Sequence, residues 1–300
     1  MDMLKRIFLF IGLNVLIMIT ASVVLTIFGV QPYLHSYGLD YTSMAIFCLV
    51  WGCTGSFISL LFSKQFAKWG YGIKLIDGTS NPDPQLRFLV ETVYDLCKRA
   101  GIEKMPEVGI YESNDINAFA TGPSKNNSLV AVSTGLLSYM DQNEIEGVLG
   151  HEITHIANGD MVTMALLQGV VNAFCMFLSR AIAYAVTMGR DDEGSMRGYI
   201  AYTVVRLVLD IVFMLLGRIL VNAFSRYREY RADQGGASLA GREKMASALE
   251  KLQRQYESMK PTPGANSALM ISNKPGPLDR LFTSHPPLSD RIKRLREGQG

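Results

Sequence analysis

Two histidines and a glutamate form the pattern in this chain that is best suited to chemistry, within His151-Glu152-Ile153-Thr154-His155. Residues four apart share one face of a helix, so a helical stretch would point both imidazoles the same way. Two such imidazoles are typical ligands of one zinc ion, and the glutamate between them can take a proton from a zinc-bound water. Because the chain has only 4 histidines, the pattern favours a metal site over a polar helix with two exposed histidines.

The residues around the motif predict a helix over roughly 143–157. Asp141 followed by Glu144 is typical of a helix N-terminus with a capping box. Asn158-Gly159 supplies a stop signal. Apolar residues recur near the helical period at Ile145, Val148, Leu149, Ile153 and Ile156. One side of the helix is therefore available for burial.

Four hydrophobic runs account for much of the 48% hydrophobic content. Residues 7–30 and 41–63 contain no charged side chain, and 161–189 contains only Arg180. A fourth run, 199–224, is interrupted by three charges, Arg206, Asp210 and Arg218. The first two runs are long enough to cross a bilayer as helices. We predict four hydrophobic membrane helices in two hairpins. Arg206 and Asp210 either pair inside the fourth helix, which is the favoured interpretation, or mark a polar cavity.

The distribution of lysine and arginine predicts the orientation. Lys5 and Arg6 precede the first run, residues 31–40 contain neither residue type, and Lys64 and Lys68 follow the second run. The positive-inside rule then places the N-terminus and the soluble segments in the cytoplasm. The first run is interpreted as a signal anchor, because it is long for a cleaved leader and a second span follows. The net charge of +2 gives no case for nucleic acid.

The predicted fold is a mainly α membrane protein with a cytosolic zincin-like α+β protease domain. Four segments are expected: 1–68, the first transmembrane hairpin; 69–160, a protease segment with a small sheet and the His151 helix; 161–224, a second membrane hairpin; and 225–300, a protease segment with the third metal ligand. The small sheet is predicted from β-rich stretches at 107–111 and 129–133. Helices are expected at 82–100 and 242–260, a break at Gly235-Gly236, and a flexible loop at 261–277. The 4 cysteines predict neither a disulfide framework nor a metal site.

A catalytic zinc ion usually has three protein ligands. Asp160 is near in sequence, but the spacing of short-spacer zincins is not met, and we expect it to be neither ligand nor partner. Glu229 is favoured because the fourth run returns it to the face that carries His151. Asp233, four residues later, can accept a hydrogen bond from a ligating imidazole. The alternative is an exposed helix on which Glu229 pairs with Arg226 or Arg231.

Motifs at 151–155, 228–233, 117–122 and 284–292 together resemble the HtpX membrane metalloproteases, bacterial relatives of the CAAX prenyl endopeptidases. The resemblance covers nearly the whole chain. It implies a zinc endopeptidase of the bacterial cytoplasmic membrane that degrades misfolded membrane proteins, with one zinc ion, polypeptide substrates and the lipid bilayer as partners.

The resemblance also implies roles for particular residues. An edge strand that receives substrate backbone is implied at Asn117, Ala118, Phe119 and Ala120. His285 is implied as an oxyanion or transition-state donor, with Arg291 nearby in the motif. From the residues alone, a histidine beside two prolines is as readily a loop-packing residue. Two rival functions stay open: a protease that cuts within the bilayer, and a non-catalytic zinc-binding scaffold or sensor.

Overall fold

The computed structural model describes residues 19, 23, 34–35, 38–77, 83–187, 196–258 and 279–298. The first hydrophobic run, apart from Ile19 and Val23, and the loop expected at 261–277 lie outside these residues. The chain divides into two compact units. The first unit comprises Met1–Leu60 and Thr163–Val221, and the second unit comprises Leu61–Val162 and Asn222–Gly300. The four-segment division made from the sequence stays a prediction.

Helices dominate the described residues, with a small sheet in the second unit. The helices are α1 (Tyr41–Leu61), α2 (Ser63–Tyr71), α3 (Pro84–Arg99), α4 (Thr134–Tyr139), α5 (Gln142–Asn158), α6 (Asp160–Thr187), α7 (Met196–Ala240), α8 (Arg242–Ser258), α9 (Asp279–Phe282) and α10 (Leu288–Glu297). The strands are β1 (Leu34–His35), β2 (Gly38–Leu39), β3 (Lys74–Leu75), β4 (Glu107–Tyr111), β5 (Ala118–Ser124) and β6 (Asn127–Ser133). The mainly helical fold with a small mixed sheet is as predicted.

Two of the described helices are long and apolar enough to cross a membrane. They are α1, with 21 residues, and α6, with 28 residues. The fourth hydrophobic run forms the first part of α7, a continuous helix of 45 residues. Two of the four predicted membrane helices are therefore found within the described residues. The other two stay a prediction.

Polar side chains of α6 and α7 meet inside the first unit. Asp210 accepts a hydrogen bond from Ser179 and lies 3.8 Å from the Arg180 guanidinium. The expected pair between Asp210 and Arg206 is therefore wrong. The partner of Asp210 comes from the neighbouring helix, and the buried Arg206 Nε has no hydrogen-bond partner among the described residues. An ion pair between two helices limits the cost of placing charge in an apolar surrounding.

A four-stranded sheet organises the second unit, in the order β3-β4-β6-β5. Strands β4 and β6 are parallel, whereas β3 and β5 are antiparallel to their neighbours. Strand β5 is consequently an edge strand of the described sheet. The apolar sides of α3 and α5 and the inner face of β6 form one buried core, in which Leu89, Leu149 and Val132 are fully buried. This core fixes α5 beside the sheet.

Helix α7 continues through Gly235 and Gly236 to Ala240, so the predicted break at these glycines is wrong. The glycines instead permit close packing against α5. A Cβ added to Gly236 would lie 2.9 Å from the backbone nitrogen of His151. A side chain at this position would therefore separate the two helices that carry the site.

Candidate metal centre

Helix α5 holds its histidines in a well-defined register because both of its ends are capped. Asp141 accepts hydrogen bonds from the backbone of Asn143 and Glu144, and the Glu144 carboxylate accepts one from the backbone of Asp141, which completes the predicted capping box. The helix ends at Gly159, whose φ of 67° is in the left-handed region that favours glycine. The predicted helix is confirmed, with one more residue at each end.

His151, His155 and Glu229 come together in the second unit, and all three are buried. The two imidazole Nε2 atoms are 3.1 Å apart. The Glu229 carboxylate lies 3.5 Å from Nε2 of His151 and 3.4 Å from Nε2 of His155. One ligand atom from each residue lies within 4.8 Å of the others. These distances allow the three side chains to hold a single cation.

Glu229 reaches this cluster because α7 runs along α5. Glu229 is only 1% exposed. The alternative of an exposed helix on which Glu229 pairs with Arg226 or Arg231 is therefore wrong. Burying a carboxylate is costly unless it has partners, and here both imidazoles and His285 supply them.

Asp233, one turn after Glu229, contacts His151 on the side of the ring that faces away from Glu229. Its Oδ1 lies 3.0 Å from the His151 Nδ1. Arg291 of α10 donates from Nε to the Asp233 Oδ2 at 2.8 Å, and its Nη2 reaches Oδ1 of the same carboxylate. Since Arg291 is buried and lies 3.5 Å from the Glu229 carboxylate, it compensates for two buried negative charges. The motif at 284–292 contains Arg291, but nothing in the sequence indicated this pairing.

Asp160 supports His155 in the same way, contrary to the expectation from the sequence. The Asp160 Oδ2 lies 2.6 Å from the His155 Nδ1, and the carboxylate is buried. The left-handed residue Gly159 turns the chain so that the first residue of α6 points back at the end of α5. Asp160 is not part of the three-residue cluster, so rejecting it as a ligand agrees with the structure, but the expectation that it partners nothing is wrong. The glycine that precedes Asp160 was the signal for this return.

The protonation of the cluster follows from these contacts. Burial disfavours a charged imidazole, but hydrogen bonds with Asp160 and Glu229 outweigh it and raise the pKa of His155 to about 9. Burial likewise lowers the pKa of His151, but hydrogen bonds with Asp233 and Glu229 outweigh burial, so the pKa is raised. Burial would raise the pKa of Glu229, yet its imidazole partners hold that pKa well below its usual range. The carboxylate is thus ionised and attracts cations.

Glu152, next to His151 on α5, contacts the edge strand. Its Oε2 accepts a hydrogen bond from the backbone nitrogen of Ala120 at 2.8 Å. Ala118 and Ala120 lie in β5, opposite Val132 and Val130 of β6, while Asn117 lies one residue before the strand and Phe119 within it. The helix and the strand are thus joined at Glu152, the acidic residue of the motif.

His285 lies between α9 and α10, with its Nδ1 2.8 Å from the Glu229 Oε2. Its side chain is 66% exposed, unlike the imidazoles of α5. The structure therefore brings together His151, Glu152, His155, Glu229, Asp233 and His285. The donor set of two imidazole nitrogens and one carboxylate suits zinc, and it leaves a coordination position free for water or substrate.

A buried His-His-Glu cluster, a glutamate beside it and an edge strand define a metalloprotease. The family model "Peptidase family M48" matches residues 82–299. The chain belongs to this family, and it is a membrane metalloprotease with apolar helices.

Curated relatives match over nearly their whole length. The chain is 47% identical to "Protease HtpX homolog" of Bacillus licheniformis, covering 97% of this chain and 98% of the relative. It is 49% identical to the protein of the same description from Methylacidiphilum infernorum, covering 98% of each. "Protease HtpX" of Chromohalobacter salexigens is 46% identical, again with 98% of each chain covered. The resemblance to HtpX proteases is therefore confirmed.

A solved structure shares the fold. It is the crystal structure of S. mikatae Ste24p, with a TM-score of 0.63 and 19% sequence identity. The match covers 98% of this chain, which spans 65% of that longer chain. At this identity the likeness concerns the fold alone.

Proposed function

We propose that the protein is a zinc-dependent endopeptidase of the bacterial cytoplasmic membrane that hydrolyses misfolded or damaged membrane proteins at the cytoplasmic face. The single observation that carries the proposal is the buried cluster of His151, His155 and Glu229, with Glu152 beside it at the edge strand. Each residue has the chemistry that peptide hydrolysis requires of its position.

In this proposal His151, His155 and Glu229 hold one zinc ion. When bound, zinc lowers the pKa of a coordinated water and polarises the scissile carbonyl. Asp233 and Asp160 fix the orientation of the two imidazoles by accepting from their Nδ1 atoms. Because its Nδ1 is hydrogen-bonded to a carboxylate, each ring would present Nε2 to the metal.

Glu152 is proposed as the general base and acid. Its carboxylate takes a proton from the attacking water and delivers it to the nitrogen of the leaving amine. The contact of Glu152 with the Ala120 backbone supports this role, because the carboxylate lies where a substrate strand along β5 would pass. A zinc-binding scaffold or sensor would not need this glutamate.

Strand β5 is proposed to receive the substrate through Asn117, Ala118, Phe119 and Ala120. The strand has β6 on one side, and it is the last in the order of the described sheet. An extended peptide added there would be recognised through its backbone, largely independently of sequence. Such tolerance suits an enzyme whose substrates share damage and not a motif.

His285 is proposed to stabilise the oxyanion that develops on the scissile carbonyl. Its exposed ring beside Glu229 supports the role, since it can contact both the cluster and an incoming substrate. The cytoplasmic orientation rests on the lysine and arginine distribution of the sequence. The cluster belongs to the second unit, whose sheet and buried core are typical of a water-soluble domain, which argues against cleavage within the bilayer.

Replacing Glu152 with Gln tests the proposal. The variant should retain zinc and lose cleavage of casein in detergent, because the amide cannot accept the water proton while the cluster stays intact. Glu146→Gln, on the same helix, is the matched control and should cleave normally. Near-normal turnover of Glu152→Gln would remove this residue from the mechanism.

A further inference from the structure

Helix α2 and its flanks carry an unusual concentration of exposed apolar side chains. Leu61, Phe62, Trp69, Tyr71 and Leu75 are each between 40% and 59% exposed. No other stretch of this length in the described part of the second unit exposes as many large apolar side chains. Scattered exposed apolar residues are ordinary, but this many within one short stretch mark a candidate interaction surface.

The lysines of α2 lie on a different face of the helix from Phe62 and Trp69. Lys64 and Lys68 are four residues apart and share one helix face. Both pair with Glu107 of β4, at 3.2 Å and 2.7 Å, and Lys64 also donates to the Asn127 side chain. Lys64 is only 8% exposed. The helix thus turns its charges inward, to the sheet.

Residues on the outer face of α2 carry no charge. Phe62, Gln65 and Trp69 recur at helical spacing on this face, and all three are exposed. A helix that borders water places apolar residues inward and lysines outward. Since α2 has the reverse arrangement, its outer face is suited to a surrounding that is less polar than water.

We propose that the outer face of α2, with Phe62 and Trp69, lies in the headgroup region of the lipid bilayer. The apolar helix α1 ends at Leu61 and α2 begins at Ser63, so the chain has just left a candidate membrane span. Tryptophan and tyrosine are the residues enriched at membrane interfaces, where their rings are amphipathic. The occupant is therefore lipid, and not a second copy of the chain.

The surface would also position the substrate strand. The ring of Tyr71, at the end of α2, lies 5.1 Å from the ring of Phe119 in β5. Lys64 is bonded to Asn127 at the start of β6, which pairs with β5. A helix held at the lipid surface would keep β5 close to the bilayer. Substrate segments that emerge from the bilayer would then lie near this strand. This consequence rests on the proposed function, whereas the lipid contact does not.

Tryptophan fluorescence tests the lipid contact directly, because the chain has only 2 tryptophans. Trp51→Phe leaves Trp69 as the sole tryptophan. In proteoliposomes, lipids brominated high on the acyl chain should quench most of the Trp69 emission, lipids brominated near the chain end should quench less, and aqueous acrylamide should quench little. If Trp51→Phe does not fold, the difference between the native protein and Trp69→Phe gives the same quantity.

Tyr139 provides the matched control, since it is 52% exposed, close to the 56% of Trp69, and lies in the second unit at the end of α4. Tyr139→Trp, in a chain with both native tryptophans replaced by Phe, should be quenched by acrylamide and not by brominated lipid. Quenching of Trp69 by acrylamide alone would overturn the proposal, because the face would border water. Absence of quenching by either agent would also overturn it, because protein would cover the face. None of these readings requires protease activity, so they are independent of the proposed function.

Discussion

His151 and His155 lie one turn apart on α5. The carboxylates that contact their Nδ1 atoms, however, come from very different positions in the chain. His155 is supported by Asp160, five residues away and joined to it by one glycine turn. His151 is supported by Asp233, which lies on α7 and is itself held by Arg291 of α10. One side of the site is thus built locally, and the other requires three distant helices to pack.

This difference predicts different failures for the two sides. Loss of the local support should weaken the metal site and leave the fold largely intact. Loss of the distant support should also destabilise the fold, because the buried Arg291 loses the carboxylate that accepts two of its hydrogen bonds. Glu229 is common to both sides, since it contacts both imidazoles.

Replacing Glu229 with Ala should have the largest effect on metal content. The change removes the proposed third ligand and leaves two imidazoles, too few for a stable catalytic site. Zinc should be absent after purification with chelator, measured as the metal-to-protein ratio. Glu250→Ala, which removes a surface partner of Arg296, should retain zinc. Full zinc content in Glu229→Ala would show that the cluster does not hold the metal.

Replacing Asp233 with Ala should weaken zinc binding by about 10–100-fold, as is typical for the loss of a partner behind a ligand. It should also destabilise the protein by up to about 3–5 kcal/mol, because Arg291 loses its hydrogen-bonded carboxylate and keeps only Glu229, at 3.5 Å. Thermal unfolding and competition with a chelator measure the two effects separately. Adding Arg291→Met should restore stability without restoring zinc affinity. Recovery of both would mean that Asp233 acts only through the fold.

Replacing Asp160 with Ala should weaken zinc binding within the same range of about 10–100-fold, with a smaller loss of stability than Asp233→Ala. No buried bidentate pair is broken, and the nearest arginine, Arg228, lies 4.0 Å away. Asn158→Ala, two residues earlier, is the control and should retain zinc. Equal loss of stability in Asp160→Ala and Asp233→Ala would remove the distinction between local and distant support.

Replacing Lys244 with Ala should have the smallest effect. Its Nζ lies 2.6 Å from the Glu146 carboxylate and joins α8 to α5, but the lysine side chain is 35% exposed. Partly exposed ion pairs contribute about 0–1 kcal/mol, so unfolding should shift slightly and zinc affinity not at all. A large loss of zinc would indicate that the packing of α8 on α5 also positions the site.

The sequence predicted the local features of the site well. The capping pattern at Asp141 and Glu144 and the apolar spacing of α5 were sufficient to predict its helix. The spacing of His151 and His155 was sufficient to predict their common face. Glu229 was predicted from the order of the hydrophobic runs and from its position four residues before Asp233, and the structure places it in contact with both imidazoles.

Other features depended on contacts that no local pattern encodes. Gly235 and Gly236 indicated a helix break, but helix packing against α5 keeps α7 continuous. Asp210 was expected to pair along its own helix, but its partner is on α6. In both cases a neighbouring helix overrode a preference read along one helix.

The sequence by itself determined which side chains of α5 form the candidate site, because a helix fixes which side chains share a face over one or two turns. It also determined which runs are apolar enough to cross a membrane. Only the tertiary structure decided how the buried charges are compensated: Arg291 against Asp233, Asp160 against His155, and the α2 lysines against Glu107. The physical reason is that charge compensation depends on distances of a few ångströms, and for residues far apart in the chain these are set by packing.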